Sequence, residues 1–167
     1  MFLRAEPQGG NLRRSQNPDK ILPAAGPGGR IGAYMDIVYT DKRDYSAADL
    51  EALFRSVDWL SANYPERLKK ALDHCATVIT AWCDGRLVGL INAIDDSELT
   101  AYVHYLCVSP EYQGIGIGRE LLVRIKEIYK DYLYIILIAE NEPLINYYKQ
   151  NGFELIEGRY VIELLNP

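Results

Sequence analysis

An α/β fold, with a mixed but mostly antiparallel central sheet of about seven strands flanked by about four helices, is predicted by three features of the chain. Apolar residues recur at helical spacing in some segments and as alternating or continuous strand-like runs in others. Asp84-Gly85 separates two strand-like runs and signals a tight antiparallel turn. Residues 106–122 read in succession as a buried strand, a Ser109-Pro110 turn, a glycine-rich loop and a helix start. With 167 residues, 49% of them apolar and 25% charged, the chain suits one globular domain with a real core.

Taken in order, residues 1–34 are rich in Gly, Pro, Asn and Gln, carry Arg4, Arg13, Arg14, Lys20 and Arg30, and lack any apolar period. A disordered extension is expected there, or an upstream start with Met35 as the true beginning. A targeting peptide is the weaker reading, because there is no apolar signal core. The folded domain is expected over 35–167. It opens with a β-branched strand at 36–40. Ser46 is placed as an N-cap with Asp49 three residues on, ahead of the stripe Leu50, Leu53, Phe54 and Val57. A second helix begins near Pro65 and turns Leu68, Ala71 and Leu72 inward. Strands follow at 77–82, 86–93 and 98–108, with Asp95-Asp96-Ser97 as a turn. After the helix carrying Leu121, Leu122, Ile125, Ile128 and Tyr129, the apolar run 132–138 reads as an interior strand covered on both faces. A short helix from Asn141-Glu142-Pro143 ends at Asn151-Gly152, and strands at 153–156 and 160–165 close the domain.

The formal charge of −5 and a pI near 5.1 offer no broad electrostatic footprint for a nucleic-acid backbone. No apolar run approaches the length of a membrane span. Cys75, Cys83 and Cys107 are odd in number and have no metal-ligand spacing, so reduced, buried thiols, a cytoplasmic setting and no metal are expected.

The loop carries the chemistry. Between Gln113 and Arg119, the glycines Gly114, Gly116 and Gly118 let consecutive N–H groups converge at a helix start, and such a concavity suits an anion, most naturally a phosphate. A nucleotide P-loop would need Lys-Ser/Thr after the last glycine, where Arg119-Glu120 stands. The dinucleotide fingerprint needs Gly-x-Gly-x-x-Gly, and this loop does not supply it. The stretch Gln113-Gly114-Ile115-Gly116-Ile117-Gly118, preceded by Val-Ser-Pro-Glu-Tyr and followed by Leu121-Leu122, resembles the GNAT superfamily of acetyl-CoA-dependent N-acetyltransferases. A second signature is similar to that family independently: Asn141, then Tyr148, then Gly152-Phe153. The resemblance covers residues 36–165 and implies the GNAT fold.

What the resemblance implies is specific. Acetyl-CoA is the acyl donor, and an amine attacks its thioester directly through a tetrahedral intermediate. The diphosphate lies on the amides of Gln113, Gly114, Ile115, Gly116, Ile117, Gly118 and Arg119, with Asn141 as a further contact. The pantetheine arm adds to the strand edge Leu106, Cys107 and Val108, where Cys107 supplies backbone only. Tyr148 is the general acid: a phenol of pKa ~10 stays protonated and donates to a thiolate of pKa ~8.5. By itself Tyr148 reads first as a core tyrosine, a reading that the flanking motif reverses, and Tyr147 keeps that structural reading. Many family members place a glutamate where Tyr102 stands. By strand alternation Tyr102, His104, Leu106 and Val108 share one face, and His104, titrating near ~6.5, is the candidate base beside a water chain that needs no side chain.

Trp59 and Tyr64 either pack on the sheet or, with Asp58, form the acceptor wall that the resemblance implies for this linker. Asp95, Asp96 and Glu98 are further candidates for the acceptor rim, or plain turn caps. A small primary amine, cationic and partly apolar, is the expected acceptor. No nucleic acid or membrane partner is expected, and homodimerisation through the C-terminal strands or a sheet edge is left open. Two other readings keep the fold: a transferase of a longer acyl group, and a non-catalytic acetyl-CoA sensor or partner-binding module.

Overall fold

The computed structural model describes residues 2–5, as backbone, and 35–158. The strands are β1 (Phe2–Ala5), β2 (Ile37–Thr40), β3 (Thr77–Cys83), β4 (Arg86–Asp95), β5 (Thr100–Val108), β6 (Tyr134–Ile138) and β7 (Phe153–Leu155). The helices are α1 (Ala47–Arg55), α2 (Pro65–Asp73), α3 (Ile117–Ile128) and α4 (Glu142–Gln150). One sheet runs in the order β2-β3-β4-β5-β6-β1-β7. Every neighbouring pair is antiparallel except β5 and β6.

The expected α/β architecture is therefore present, with one exchange of strand. The strand expected at 160–165 lies outside the described residues, as do residues 6–34. Phe2–Ala5, inside the segment expected to be disordered, instead pairs with both β6 and β7. Four residues are too few to display a period, and a ladder made by main-chain groups leaves no side-chain signature.

Local chemistry explains the helix starts. Ser46 caps α1 through a reciprocal pair: the Asp49 amide donates to Ser46 Oγ at 3.1 Å, and the Ser46 amide donates to Asp49 Oδ2 at 2.8 Å. Pro65 occupies the first turn of α2, where a missing N–H costs nothing. The Arg43 guanidinium donates to the carbonyls of Leu72, Asp73, Cys75 and Ala76 and so satisfies the C-terminal end of α2. Asp96 explains why β5 begins at Thr100: its carboxylate accepts from the amides of Glu98, Leu99 and Thr100, which closes a turn.

Each face of the sheet has its own core. Leu121, Leu122 and Ile125 of α3, with Ile145 and Tyr148 of α4, pack on Val88, Ile91, Val103 and Leu137. Leu50, Leu53 and Phe54 of α1, with Leu68 and Leu72 of α2, pack on Val78, Leu87, Leu90 and Cys107. This second layer does not extend over β6, where Ile135 and Leu137 are buried but Tyr134 is 43% exposed. The expectation of an interior strand covered on both faces is thus corrected. Two nine-residue helices are too short to roof the whole sheet.

Two irregularities in β5 shape everything that follows. Its parallel pairing with β6 stops at Val103↔Leu137, so the two strands diverge beyond that point. Its pairing with β4 steps from Ala93↔Val103 to Asn92↔Tyr105, which leaves His104 as the extra residue of a β-bulge.

Candidate active site

The glycine-rich loop and the start of α3 form one end of a cleft of about 510 Å³. Gln113 donates its amide to Pro110 O at 3.3 Å, and the helix ladder opens with Glu120 N donating to Gly116 O at 3.0 Å. Between these two, the amides of Gly114, Ile115, Gly116, Ile117, Gly118 and Arg119 have no partner among the described residues. Gly116 caps α3 at φ 98°, a left-handed conformation that a side chain disfavours, and this turns successive N–H groups toward one side. Gln113 itself acts through its side chain, with Nε2 donating to Val108 O at 2.9 Å and fastening the loop to the end of β5. The Ile115 side chain packs against the core, so only its backbone is available to a ligand.

Leu106, Cys107 and Val108 lie on the stretch of β5 beyond its last pair with β6. Ser109 N donates to Val88 O at 2.9 Å and Tyr105 N to Asn92 Oδ1 at 3.0 Å, so these amides face β4. Amides alternate between the two edges of a strand. Those of Leu106 and Val108 therefore face the gap that β6 has left. The Leu106 and Val108 side chains line the cleft. Cys107 is buried on the opposite face, and burial pushes its thiol up to about 12, so it stays protonated and contributes main chain alone.

From α4, Leu144, Tyr147 and Tyr148 complete the cleft. Asn141 is not among the residues that line it; its Oδ1 accepts from Leu144 N at 3.1 Å and caps the helix. Tyr148 is 7% exposed, and burial, reinforced by Tyr147 and Glu140, raises its pKa to about 12. Its phenol is accordingly a proton donor at neutral pH, and its hydroxyl has no hydrogen-bond partner among the described residues.

The bulge corrects the expected face of His104. Ala101 and Val103 face α3, and so do Leu106 and Val108, because the extra residue resets the alternation. Tyr102, His104 and Tyr105 are grouped on the opposite face, the side of α1. The His104 ring stacks on Tyr105 at 4.0 Å and on Tyr102 at 5.8 Å. Trp59 continues the row, with its ring 5.3 Å from Tyr105 and 5.5 Å from Phe54. His104 is thus brought together with Tyr102 and Trp59, but not with Tyr148 in the cleft. It stands one residue past the last β5–β6 pair, at the opening between the strands. Desolvation by its neighbours lowers its pKa below the ordinary imidazole value, which favours the neutral ring; burial, then Tyr105, raises that of Tyr102.

Tyr64 is 50% exposed under the Arg67 guanidinium, 5.4 Å from the ring centroid. Asp58 is an exposed turn residue at φ 56°. Asp96 is a turn cap, and Asp95 accepts from Tyr129 Oη at 2.7 Å and from Ser97 N at 2.9 Å. Tyr147, expected to be a core tyrosine, also lines the cleft, and residues that the sequence reading passed over are Tyr112 and Leu144 in the cleft and Tyr105 in the aromatic row. Asn92 was the available signal for the last of these: a buried amide in an otherwise apolar strand marks an irregular ladder.

A sequence profile of the Acetyltransferase (GNAT) family matches residues 43–153. An uncharacterized N-acetyltransferase of ycf52-like type from Prochlorococcus marinus is 28% identical over 123 residues, spanning 71% of this chain and 68% of that protein. Spermidine N(1)-acetyltransferase of Escherichia coli is 32% identical over 91 residues, or 48% of this chain and 46% of that protein. Among solved structures, a GNAT-family acetyltransferase from Streptococcus pneumoniae superposes with TM-score 0.68 at 26% identity, over 78% of this chain and 98% of that one. The PaiA N-acetyltransferase of Thermoplasma acidophilum, solved with coenzyme A, superposes with TM-score 0.58 at 21% identity, over 75% and 94% of the two chains. This chain belongs to the GNAT family of acetyltransferases, acyltransferases that take their acetyl group from acetyl-CoA.

Proposed function

We propose that the protein transfers the acetyl group of acetyl-CoA to a small, partly apolar primary amine. The observation that carries this reading is the continuity of one cleft, from the amides of residues 114–119, which have no partner among the described residues, past Leu106 and Val108 beyond the last β5–β6 pair, to Tyr148. When bound, acetyl-CoA supplies an activated acyl group on a thiolate leaving group. The loop amides hold its diphosphate at the positive end of α3. A main-chain N–H at Leu106 or Val108 steadies the carbonyl oxygen as negative charge develops there. Tyr148 donates its phenolic proton to the departing sulfur.

The acceptor enters from the α1 side. Trp59, Tyr105, His104 and Tyr102 form a row of rings beside the opening between β5 and β6. Such a wall accommodates an apolar body and attracts an ammonium head through its π faces. His104, exposed at this opening and with its pKa below the ordinary imidazole value, accepts the amine's proton directly or through water. Similarity to a spermidine acetyltransferase supports a small-amine acceptor.

Mass spectrometry after incubation with acetyl-CoA and a panel of aliphatic amines, aromatic amines, polyamines and lysine peptides tests the proposal. An acetylated small amine is the expected product. Acetylation confined to peptides overturns the acceptor class, and product formed only from a longer acyl-CoA overturns the donor. Tight coenzyme A binding without any product overturns catalysis.

A further inference from the structure

Tyr147 directly precedes the proposed acid, yet it faces the other end of the cleft. Its Oη lies 2.9 Å from where a Cβ on Gly118 would stand, so the phenol rests against the first turn of α3. Residue 118 has room for nothing larger than hydrogen while the ring is there. The ring is fixed from below by an edge contact with Tyr148, 5.5 Å between centroids, and its carbonyl accepts from Asn151 Nδ2 at 2.8 Å. A tie between the helices, from Lys126 Nζ to Asn151 O at 2.8 Å, holds α4 in place against α3.

At this spot donors without partners among the described residues accumulate. The amides of Gly114 to Arg119 are free, and the Tyr147 hydroxyl has no partner among the described residues. The two nearest carboxylates in sequence are occupied elsewhere: Glu120 by Arg124 at 2.8 Å, and Glu111 by Arg86 at 2.9 Å. Burial raises the phenol's pKa, with Arg119 opposing, so the hydroxyl keeps its proton and donates. A cluster of convergent donors demands an acceptor-rich ligand.

We infer that Tyr147 is a diphosphate ligand of the donor site, giving a side-chain hydrogen bond from α4 to the anion that the loop amides hold from α3. The inference rests on the proposed donor and adds a division of labour between adjacent tyrosines: Tyr148 serves the thioester and Tyr147 the phosphates.

The test compares donors with and without the phosphates. Tyr147→Phe keeps the ring and removes only the hydroxyl, and thermal melting confirms that the variant folds. Coenzyme A binding, measured by calorimetry, is expected to weaken on the order of tenfold, as for the loss of a hydrogen bond to a charged group. The loss should fall on the KM for acetyl-CoA rather than on kcat. With S-acetylpantetheine, which lacks the diphosphate, variant and wild type should have the same kcat/KM. Equal coenzyme A affinity in the two proteins overturns the inference. So does an equal loss for both donors, which marks a packing defect. Failure of the wild type to bind coenzyme A overturns the donor assignment itself, a result read before any variant is compared.

Discussion

Tyr148 and Tyr147 illustrate how little residue type alone decides. In a chain with 13 tyrosines, what distinguishes these two is the feature each hydroxyl meets. For Tyr148 it is the cleft that it lines with Leu106 and Val108, and Tyr148→Phe is expected to lower kcat on the order of 100-fold, the scale of a positioned acid. Acetyl-CoA affinity should change little, and steady-state kinetics with chemistry shown to be rate-limiting check this. His104 makes a pH prediction. The neutral ring is the form that accepts a proton, and desolvation depresses its pKa. The acid limb of kcat/KM should therefore lie below the ~6.5 of free imidazole, with activity rising as pH increases through it. His104→Ala should abolish that limb, and an unmoved profile would remove His104 from the chemistry. Tyr148 was legible because a spaced motif surrounds it. The face of His104 was not, since a one-residue bulge leaves no trace in an alternation rule.

At the scale of elements, the site depends on how tightly each helix start and strand irregularity is held. Losing the Ser46 cap by Ser46→Ala should cost about 1 kcal/mol in urea unfolding, with m unchanged. Asn92 is fully buried, accepts from Tyr105 N at 3.0 Å and donates to Cys75 Sγ at 3.2 Å. Asn92→Leu leaves the bulge amide unsatisfied and should cost about 1–3 kcal/mol, while also raising the KM for the amine as the row of rings loosens. Helix caps, the Asp84-Gly85 turn and the glycine loop could all be read from the chain because each is a local contract between side chain and backbone. Divergence of β5 from β6 and the place of β1 between β6 and β7 could not. They are settled by partners distant in sequence, through main-chain bonds common to every residue.

For the molecule as a whole, the two layers meet at the gap between β5 and β6: donor groups lie on the α3–α4 side and the aromatic row on the α1 side. Acetyl-CoA near 100 times its Kd adds about 2.7 kcal/mol to stability, so the thermal midpoint should rise by roughly 5 to 10 °C. Gly116→Ala, forced to hold a side chain at φ 98°, should abolish most of that rise in a melt. The bulge has one more implication. Because Val103 and Tyr105 already point as adjacent residues of an uninterrupted strand would, His104 is supernumerary to the ladder. Excising that single codon should heal the pairing and leave every other side chain of β5 on its present side. The domain would then lose the proposed base without losing its scaffold, making a one-residue deletion a gentler probe of this position than many substitutions.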